Sequence, residues 1–295
     1  MTTKKIPGDP RSVAELILLA GLWGGSFLFM RVAAPVLGPI WLIEGRVLLA
    51  GLVLLPWLLR QNLFPHLHRH GWVLLGIGCL NSALPFCLLA YASMTLPTGL
   101  TAILNATAPL FGTVVATLWW HEVVTGIQQL GLGLGFLGVL TLVGWQVGVL
   151  SPDVLPAVGA GLLAALFYAV AAPLIKQRLA GVPPLVTVCG SQLGAAVVLL
   201  PLLPWSIPTQ QPGLSVIGSV FALALLSTAV AYQLYFRLIQ HLGSTRALTV
   251  SYLIPGFAML WGSLLLGEPI SLSMLVGCGL IVLGTVLVNG AAFAR

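Results

Sequence analysis

Charged residues are scarce in this chain of 295 residues, where 12 Lys or Arg and 6 Asp or Glu make up 6% of the sequence. A soluble domain carries roughly 25% charged residues, and so few charges cannot cover a water-facing surface of this size. The scarcity excludes an ordinary soluble enzyme, a disordered chain and a nucleic-acid-binding protein. The net charge of +6 is therefore not interpreted as a phosphate-binding patch.

Motifs for nucleotide binding and catalysis are also missing. No GxxxxGK[ST] motif occurs, which excludes ATP-driven transport within this chain. There is no HExxH motif, and Gly24-Gly25-Ser26 is followed by Phe27 instead of the glycine of a rhomboid-type serine site. We therefore expect no enzymatic activity and no cofactor, and keep an intramembrane enzyme only as a remote alternative.

Disulfide and metal chemistry have little support. The four cysteines all lie in apolar stretches, where a free thiol acts as a small apolar side chain. His66, His68 and His70 alternate beside Arg60 and Arg69, and we interpret this segment as a solvated loop rather than a metal site.

Long apolar runs dominate the chain. Apolar residues make up 59% of it and show no period-2 alternation, which indicates helices rather than strands. A bilayer core requires about 20 apolar residues per helix. Ten stretches approach this length, at 13–33, 39–59, 71–92, 98–119, 126–145, 155–174, 184–203, 213–236, 246–266 and 270–291. We predict an all-α polytopic membrane protein with ten transmembrane helices.

The basic residues predict the orientation, because Lys and Arg are enriched on the cytoplasmic side. With a cytoplasmic N-terminus, Arg31 lies outside, Arg46 lies within a span, and the other ten of the 12 basic residues lie inside: Lys4, Lys5, Arg11, Arg60, Arg69, Lys176, Arg178, Arg237, Arg246 and Arg295. We expect a multi-pass protein of the plasma (inner) membrane of a bacterium-like cell, with both termini cytoplasmic.

The two halves of the chain are related by a nearly fixed offset. Arg31 corresponds to Lys176 and Pro39 to Pro184, and after a slip of one residue Ala83 corresponds to Ala229, Pro109 to Pro255, Glu122 to Glu268, Gly131 to Gly277, Gly133 to Gly279 and Gly138 to Gly284. We predict two repeats, residues 1–148 and 149–295. Five spans per repeat make the second copy inverted, as in transporters that work by alternating access.

Several motifs resemble those of the drug/metabolite transporter superfamily, in its ten-helix form with two EamA domains. The first half contains Trp23-Gly24-Gly25-Ser26-Phe27, Ala106-Thr107-Ala108-Pro109-Leu110 and Trp120-His121-Glu122. The second half contains Leu253-Ile254-Pro255-Gly256 and Leu266-Gly267-Glu268-Pro269. The chain departs from the family pattern at His121, where Gly is usual, and at Tyr168-Ala169, which replace Trp23-Gly24 in the second copy.

The resemblance covers essentially the whole chain. It implies that helices 1–4 and 6–9 surround a central cavity, and that helices 5 and 10 pack at the side, where relatives often form a homodimer contact. Its motifs are specific for the fold and carry little information on the substrate.

Polar residues at membrane depth are the candidates for a substrate cavity, because an ionisable residue at a helix centre costs about 2.5–3.5 kcal/mol on insertion scales. Glu44 and Arg46 are the main charges within the spans, and at most one faces a cavity squarely, since they point about 200° apart on a helix. The neutral candidates are Trp23, Asn81, Ser82, Thr101, Asn105, Tyr168, Gln192, Ser227, Thr228 and Ser251. For any single Ser or Thr, interhelical hydrogen bonding is the stronger interpretation.

Two further acids lie at helix boundaries. Glu122 and Glu268 come just before helices 5 and 10, where an acid stabilises the helix dipole and accepts from free N–H groups. We interpret both as structural helix caps.

These features predict a secondary transporter, an exporter of small metabolites that works by alternating access through a central cavity. One intramembrane cation and one acid, Arg46 and Glu44, suit a zwitterion such as an amino acid. A flippase or an exporter of lipid-linked or drug-like compounds is the alternative. Energy coupling is open between facilitated diffusion and proton coupling, for which Glu44 is the intramembrane candidate. The expected partners are the small-molecule substrate and the lipid bilayer, with no nucleic acid.

Overall fold

The computed structural model describes residues 10–121, 123–144, 152–208 and 210–293, and within these ranges it contains helices and connecting loops but no strand. Ten helices are the main elements: α1 (10–37), α2 (39–60), α3 (Gly71–Thr95), α4 (Thr98–Trp119), α5 (Gly126–Gly144), α6 (Val154–Arg178), α7 (Pro184–Trp205), α8 (Leu214–Leu242), α9 (Val250–Leu266) and α10 (Leu272–Phe293). The prediction of an all-α membrane protein with ten transmembrane helices is confirmed.

The first two helices form one long element, Pro10–Arg60, which bends at Gly38. Gly38 has a φ of 72° and a ψ of 160°, a conformation that glycine adopts without steric cost. Pro39 follows and begins α2, where its missing N–H costs little. In the described part of the chain, eight helices are long and apolar enough to cross a membrane when Pro10–Arg60 counts once, and α9 is a shorter apolar helix.

Two short helices lie between the spans. Phe64–Arg69 connects α2 to α3 where the sequence suggested a loop, and it brings the rings of His66 and His70 into a stack with centroids 6.5 Å apart. Ser244–Ala247 precedes α9. The predicted repeat boundary between residues 148 and 149 lies outside the described residues.

Equivalent helices of the two halves contain the same irregularity. A π-helical segment occupies Cys79–Ala83 in α3 and Leu225–Val230 in α8, and the two segments begin at repeat-related positions. In the second one Thr228 donates a hydrogen bond to the carbonyl of Leu223, five residues earlier (2.8 Å). Such turns are frequent at functional sites because they rotate the following side chains and free backbone acceptors.

The two halves meet directly at α5 and α10. A Cβ added at Gly131 would lie 2.7 Å from the Gly284 carbonyl oxygen, and one added at Gly138 would lie 2.8 Å from that of Gly277. Small residues permit such close contact where lipid supplies no hydrophobic drive. Because the repeat exchanges Gly131 with Gly277 and Gly138 with Gly284, this contact surrounds the pseudo-two-fold axis.

Candidate substrate cavity

A cavity of about 1000 Å³ occupies the centre of the helical bundle. Its wall is built from α1–α4 and α6–α10, so α10 contributes to it in addition to the eight helices that the family resemblance implied. The volume is in the upper range of small-molecule sites.

The cavity extends toward one end of the bundle. We call the end where α1 begins and α10 ends the terminal end, and the opposite one the far end. Leu179, Ala180 and Val182, in the connection between α6 and α7, line the cavity at the terminal end. Toward the far end the described lining stops at Met30 on α1 and Leu89 on α3.

A charged cluster joins four helix ends at the far end. Arg31 donates to the carbonyls of Ser93 (3.0 Å) and Met94 (2.7 Å) at the end of α3, and its Nε lies 3.5 Å from Oε1 of Glu268. The other carboxylate oxygen of Glu268 accepts from the backbone N–H of Thr98, the first residue of α4, at 2.8 Å. The cation of Arg31 therefore stabilises the C-terminal end of α3, and the anion of Glu268 stabilises the N-terminal end of α4.

This cluster corrects one interpretation of the sequence. Glu268 caps α4, which lies 170 positions away in the chain, and not the helix that follows it, because α10 begins only at Leu272. The repeat-related Glu122 lies outside the described residues, and its role as a cap remains a prediction.

Arg46 lies on the cavity wall with 3% of its surface exposed. Its Nε donates to the hydroxyl of Thr228 at 3.1 Å, and the guanidinium carbon lies 3.8 Å from the ring centroid of Phe86. No described carboxylate lies within ion-pair distance, and the buried Nη1 has no hydrogen-bond acceptor. The guanidinium is thus held on one face by Phe86 and at Nε by Thr228, and Nη1 is left without a partner.

A similar hydrogen bond occurs in the other half. Gln192 on α7 donates through Nε2 to the hydroxyl of Ser82 at 3.1 Å. The repeat relates Ser82 to Thr228, and it relates Arg46 to Ser191, the residue before Gln192. Each bond therefore joins the second helix of one repeat to the π turn of the other. The two bonds differ in charge, because only one of the donors is a cation.

Aromatic side chains form much of the wall near Arg46. The Trp23 ring lies 6.0 Å from Tyr232 and 5.3 Å from Tyr235, and Phe86 lies 6.3 Å from Tyr168, as centroid distances. Tyr168 and Tyr232 are close enough to Arg46 to interact with it electrostatically. These rings offer apolar faces together with hydroxyl groups to a bound molecule.

Six of the twelve cavity candidates line the cavity in the structure: Trp23, Arg46, Asn81, Asn105, Tyr168 and Ser251. Asn105 lies where α4 is interrupted before Ala108, and its Oδ1 is buried without a hydrogen-bond partner. The Ser251 hydroxyl donates to the Leu248 carbonyl at 2.6 Å. Whether these residues contact substrate remains a prediction.

The other six candidates lie behind the wall, and the expectation that they line the cavity is corrected: Glu44, Ser82, Thr101, Gln192, Ser227 and Thr228. Ser227 donates to the Leu22 carbonyl of α1 at 2.8 Å, and Thr101 to the Pro97 carbonyl of its own helix at 3.3 Å. Their hydroxyls hold backbone and neighbouring helices instead of facing the cavity. Glu44 is buried with Oε2 unpartnered and does not belong to the lining.

The sequence reading missed the aromatic residues of α8. Tyr232, Tyr235 and Phe236 all line the cavity, and their spacing of three and four residues places them on one helix face. That spacing is visible in the sequence. Thr285 on α10 was also missed, and its buried hydroxyl lines the cavity without a partner.

A groove of about 640 Å³ lies between α4 and α6 and shares part of its lining with the cavity. Tyr168, Ala172 and Lys176 belong to both. The repeat-related helices, α9 and α1, are in close contact: a Cβ added at Gly24 would lie 2.8 Å from Phe257 and 3.1 Å from the Ile254 carbonyl. This pair of helices thus has a groove between its members in one half of the molecule, whereas the repeat-related pair is in close contact in the other half.

A membrane-embedded bundle of two related five-helix halves, with a central cavity between them, defines this protein as a membrane transporter. The family model for the EamA-like transporter family matches residues 12–144 and 155–290. The chain therefore belongs to the EamA-like transporter family, which confirms the resemblance seen in the sequence motifs.

Relatives of similar length are also transporters by name. An uncharacterized transporter of Archaeoglobus fulgidus is 23% identical over 282 residues, covering 92% of this chain and 96% of that protein. An S-adenosylmethionine/S-adenosylhomocysteine transporter of Chlamydia muridarum is 24% identical, covering 97% and 94%. The inner membrane transporter YedA of Escherichia coli, also uncharacterized, is 27% identical, covering 93% and 89%.

A solved structure supports the fold. One crystal structure matches with a TM-score of 0.66 and 20% identity, covering 97% of this chain and 98% of that one. At this identity the likeness concerns the fold alone.

Proposed function

We propose that this protein is a secondary transporter that exports small metabolites such as amino acids by alternating access. The observation that carries the proposal is the difference between the halves: α1 and α9 are in close contact at Gly24, whereas a groove lies between α4 and α6 toward the terminal end. Exchanging the conformations of the two repeats would close the terminal end and open the far end. The cavity then becomes accessible from each side in turn.

The orientation is part of the same proposal. The basic residues near the terminal end favour a cytoplasmic location for both termini in a plasma membrane. In that orientation the conformation described here takes up substrate from the cytoplasm, as an exporter requires. A homodimer through α5 and α10 would use their outer, leucine-rich faces, since the glycine faces contact each other within one chain.

The test is transport by the purified full-length protein in liposomes loaded with isotope-labelled amino acids. We expect protein-dependent release of at least one compound, and a strong reduction in the variants Arg46→Ala and Asn105→Ala. Failure to move any compound of a broad metabolite panel, by protein that elutes as a single folded species, would refute the proposal.

A second candidate function is movement of lipid-linked or lipophilic compounds, as in a flippase. The groove between α4 and α6 favours it, because it joins the central cavity to the outer face of the bundle and has exposed Ala172 and Gln177 on its rim. Gly112 lines this groove, and a Cβ added there meets no atom within 4 Å. The variant Gly112→Trp should abolish translocation of a fluorescent phospholipid and leave amino-acid transport in place. Transport of amino acids with no phospholipid translocation by the native protein would exclude the flippase.

A further inference from the structure

The charged side chains of the central cavity are all of one sign. Arg46 lies at its deep end and Lys176 toward the terminal end, and no acidic residue of the described chain lines it. Glu44, which the zwitterion hypothesis required, is buried behind the wall. An ammonium group of a bound substrate therefore has no carboxylate to pair with in the cavity.

The geometry around Arg46 is that of a site for one carboxylate. Phe86 covers a face of the guanidinium, and Thr228 accepts from its Nε. The buried terminal nitrogen Nη1 has no protein acceptor. A planar guanidinium edge of this kind matches the two oxygens of a carboxylate. A buried cation without a counter-ion is costly at membrane depth, and a bound anion would offset that cost.

The wall beside Arg46 suits a flat apolar group. Four neighbouring rings form this part of the wall, those of Trp23, Tyr232, Tyr235 and Phe236, and each of them contacts two of the others. Ring-to-ring contacts with a substrate would add to the area that it buries. A phosphorylated compound fits less well, because a dianion favours several clustered cations and Arg46 is alone at this depth.

We propose that the cavity selects small aromatic monocarboxylates, with the carboxylate on Arg46 and the ring against Trp23 and Tyr232. The amino group of an amino acid contributes little to this recognition. The inference names the substrate class of the transporter proposed above and rests on that function.

A series of four isosteric probes tests the proposal by isothermal titration of the full-length protein in lipid nanodiscs. The probes share a phenylpropyl skeleton and differ in charge. 3-Phenylpropionate is an anion, L-phenylalanine a zwitterion, 3-phenylpropanamide neutral and 3-phenylpropylamine a cation. We expect the first two to bind with Kd values within about threefold of each other, and the amide and the amine to bind at least about tenfold more weakly. No binding of 3-phenylpropionate, or equal or tighter binding of the amine, overturns the proposal.

Variants locate the carboxylate. Arg46→Gln should weaken 3-phenylpropionate at least about tenfold and the amide much less, since only the anion loses a charge-assisted bond. Arg178→Gln is the control, because it removes an exposed cation near the terminal end that does not line the cavity. Unchanged affinity in a folded Arg46→Gln variant refutes the site. If that variant does not fold, the probe series on the native protein decides.

The binding experiment and the transport experiment can fail independently of each other. Transport of amines in liposomes without carboxylate binding would remove this inference and leave the transporter. Carboxylate binding without any transport would leave the site and remove the transport function.

Discussion

Arg46 and Thr228 join the two repeats by a hydrogen bond of 3.1 Å from Nε to the hydroxyl oxygen, between α2 and the π turn of α8. The hydroxyl of Thr228 donates its own hydrogen bond to the Leu223 carbonyl, so its oxygen can accept from the guanidinium. The π turn supplies this arrangement, because its spacing places Thr228 next to the carbonyl five residues earlier instead of four.

Thr228→Val should destabilise the protein by about 1–3 kcal/mol, since it leaves a buried charged donor without its acceptor. The repeat-related Ser82→Ala removes the acceptor of the neutral Gln192 and should cost less, about 0.5–1.5 kcal/mol. Thermal unfolding of both purified variants in detergent measures the difference. If Ser82→Ala lowered the stability as much as Thr228→Val, the positive charge of Arg46 would not be the cause of the larger expected loss.

Glu268→Gln should loosen the closed far end, because it removes the charge that Arg31 faces while keeping an oxygen for the Thr98 N–H. The Arg31–Glu268 pair is partly exposed, so its loss should have a modest effect. We expect an impermeant maleimide to label a cysteine placed at Met30 (Met30→Cys) about threefold to tenfold faster. The measurement uses a background in which the four native cysteines are replaced. Glu15→Gln breaks the Glu15–Arg237 pair at the terminal end and is the control, for which no acceleration is expected. Equal labelling rates in native and Glu268→Gln protein would count against a closing role.

Gly138→Leu should strongly reduce the yield of folded protein, because even its Cβ would lie 2.8 Å from the Gly277 carbonyl oxygen. Overpacking of this kind costs about 1–3 kcal/mol or more. Gly133→Leu on the same helix is the matched control, since an added Cβ there meets nothing within 4 Å. Size-exclusion profiles and melting temperatures of the two variants should differ clearly, and similar profiles would refute the close α5–α10 contact.

Asn105→Ala should separate stability from transport. The buried Oδ1 of Asn105 has no partner in the protein, so its removal should leave the melting temperature unchanged or raise it. Substrate affinity should fall roughly threefold to tenfold if this oxygen accepts from the substrate. Transport kinetics and thermal unfolding of one preparation measure both effects. A parallel loss of stability and transport would indicate a structural role for this residue.

The spans and the inverted repeat could be predicted from the sequence because they depend on long-range averages. Apolar length determines which segments cross the bilayer, and matched Pro and Gly positions survive in the two halves. The bend at Gly38 lies between the predicted spans 13–33 and 39–59. None of these features depends on the rotation of one helix against another.

Which residues line the cavity depends on that rotation. Only half of the residues predicted to line the cavity do so in the structure. A single residue corresponds to about 100° on a helix, so Asn81 lines the cavity while its neighbour Ser82 lies behind it. The π turns change the rotation of the following residues further. No residue type within Cys79–Ala83 predicts a π turn. Polarity and charge in the sequence do not single out Tyr232 and Tyr235, which line the cavity with their aromatic rings.

The contact of Gly131 and Gly138 with α10 has a thermodynamic consequence for the transport cycle. Exchange of the repeats maps this contact onto itself, so its interaction energy is the same in the inward-facing and outward-facing states. It can therefore set how stable the protein is but cannot shift the ratio of the two states. The unequal pair Arg46 and Ser191 can shift it, because the two residues trade environments when the conformations exchange. Any resting preference for one side of the membrane must come from such unequal positions.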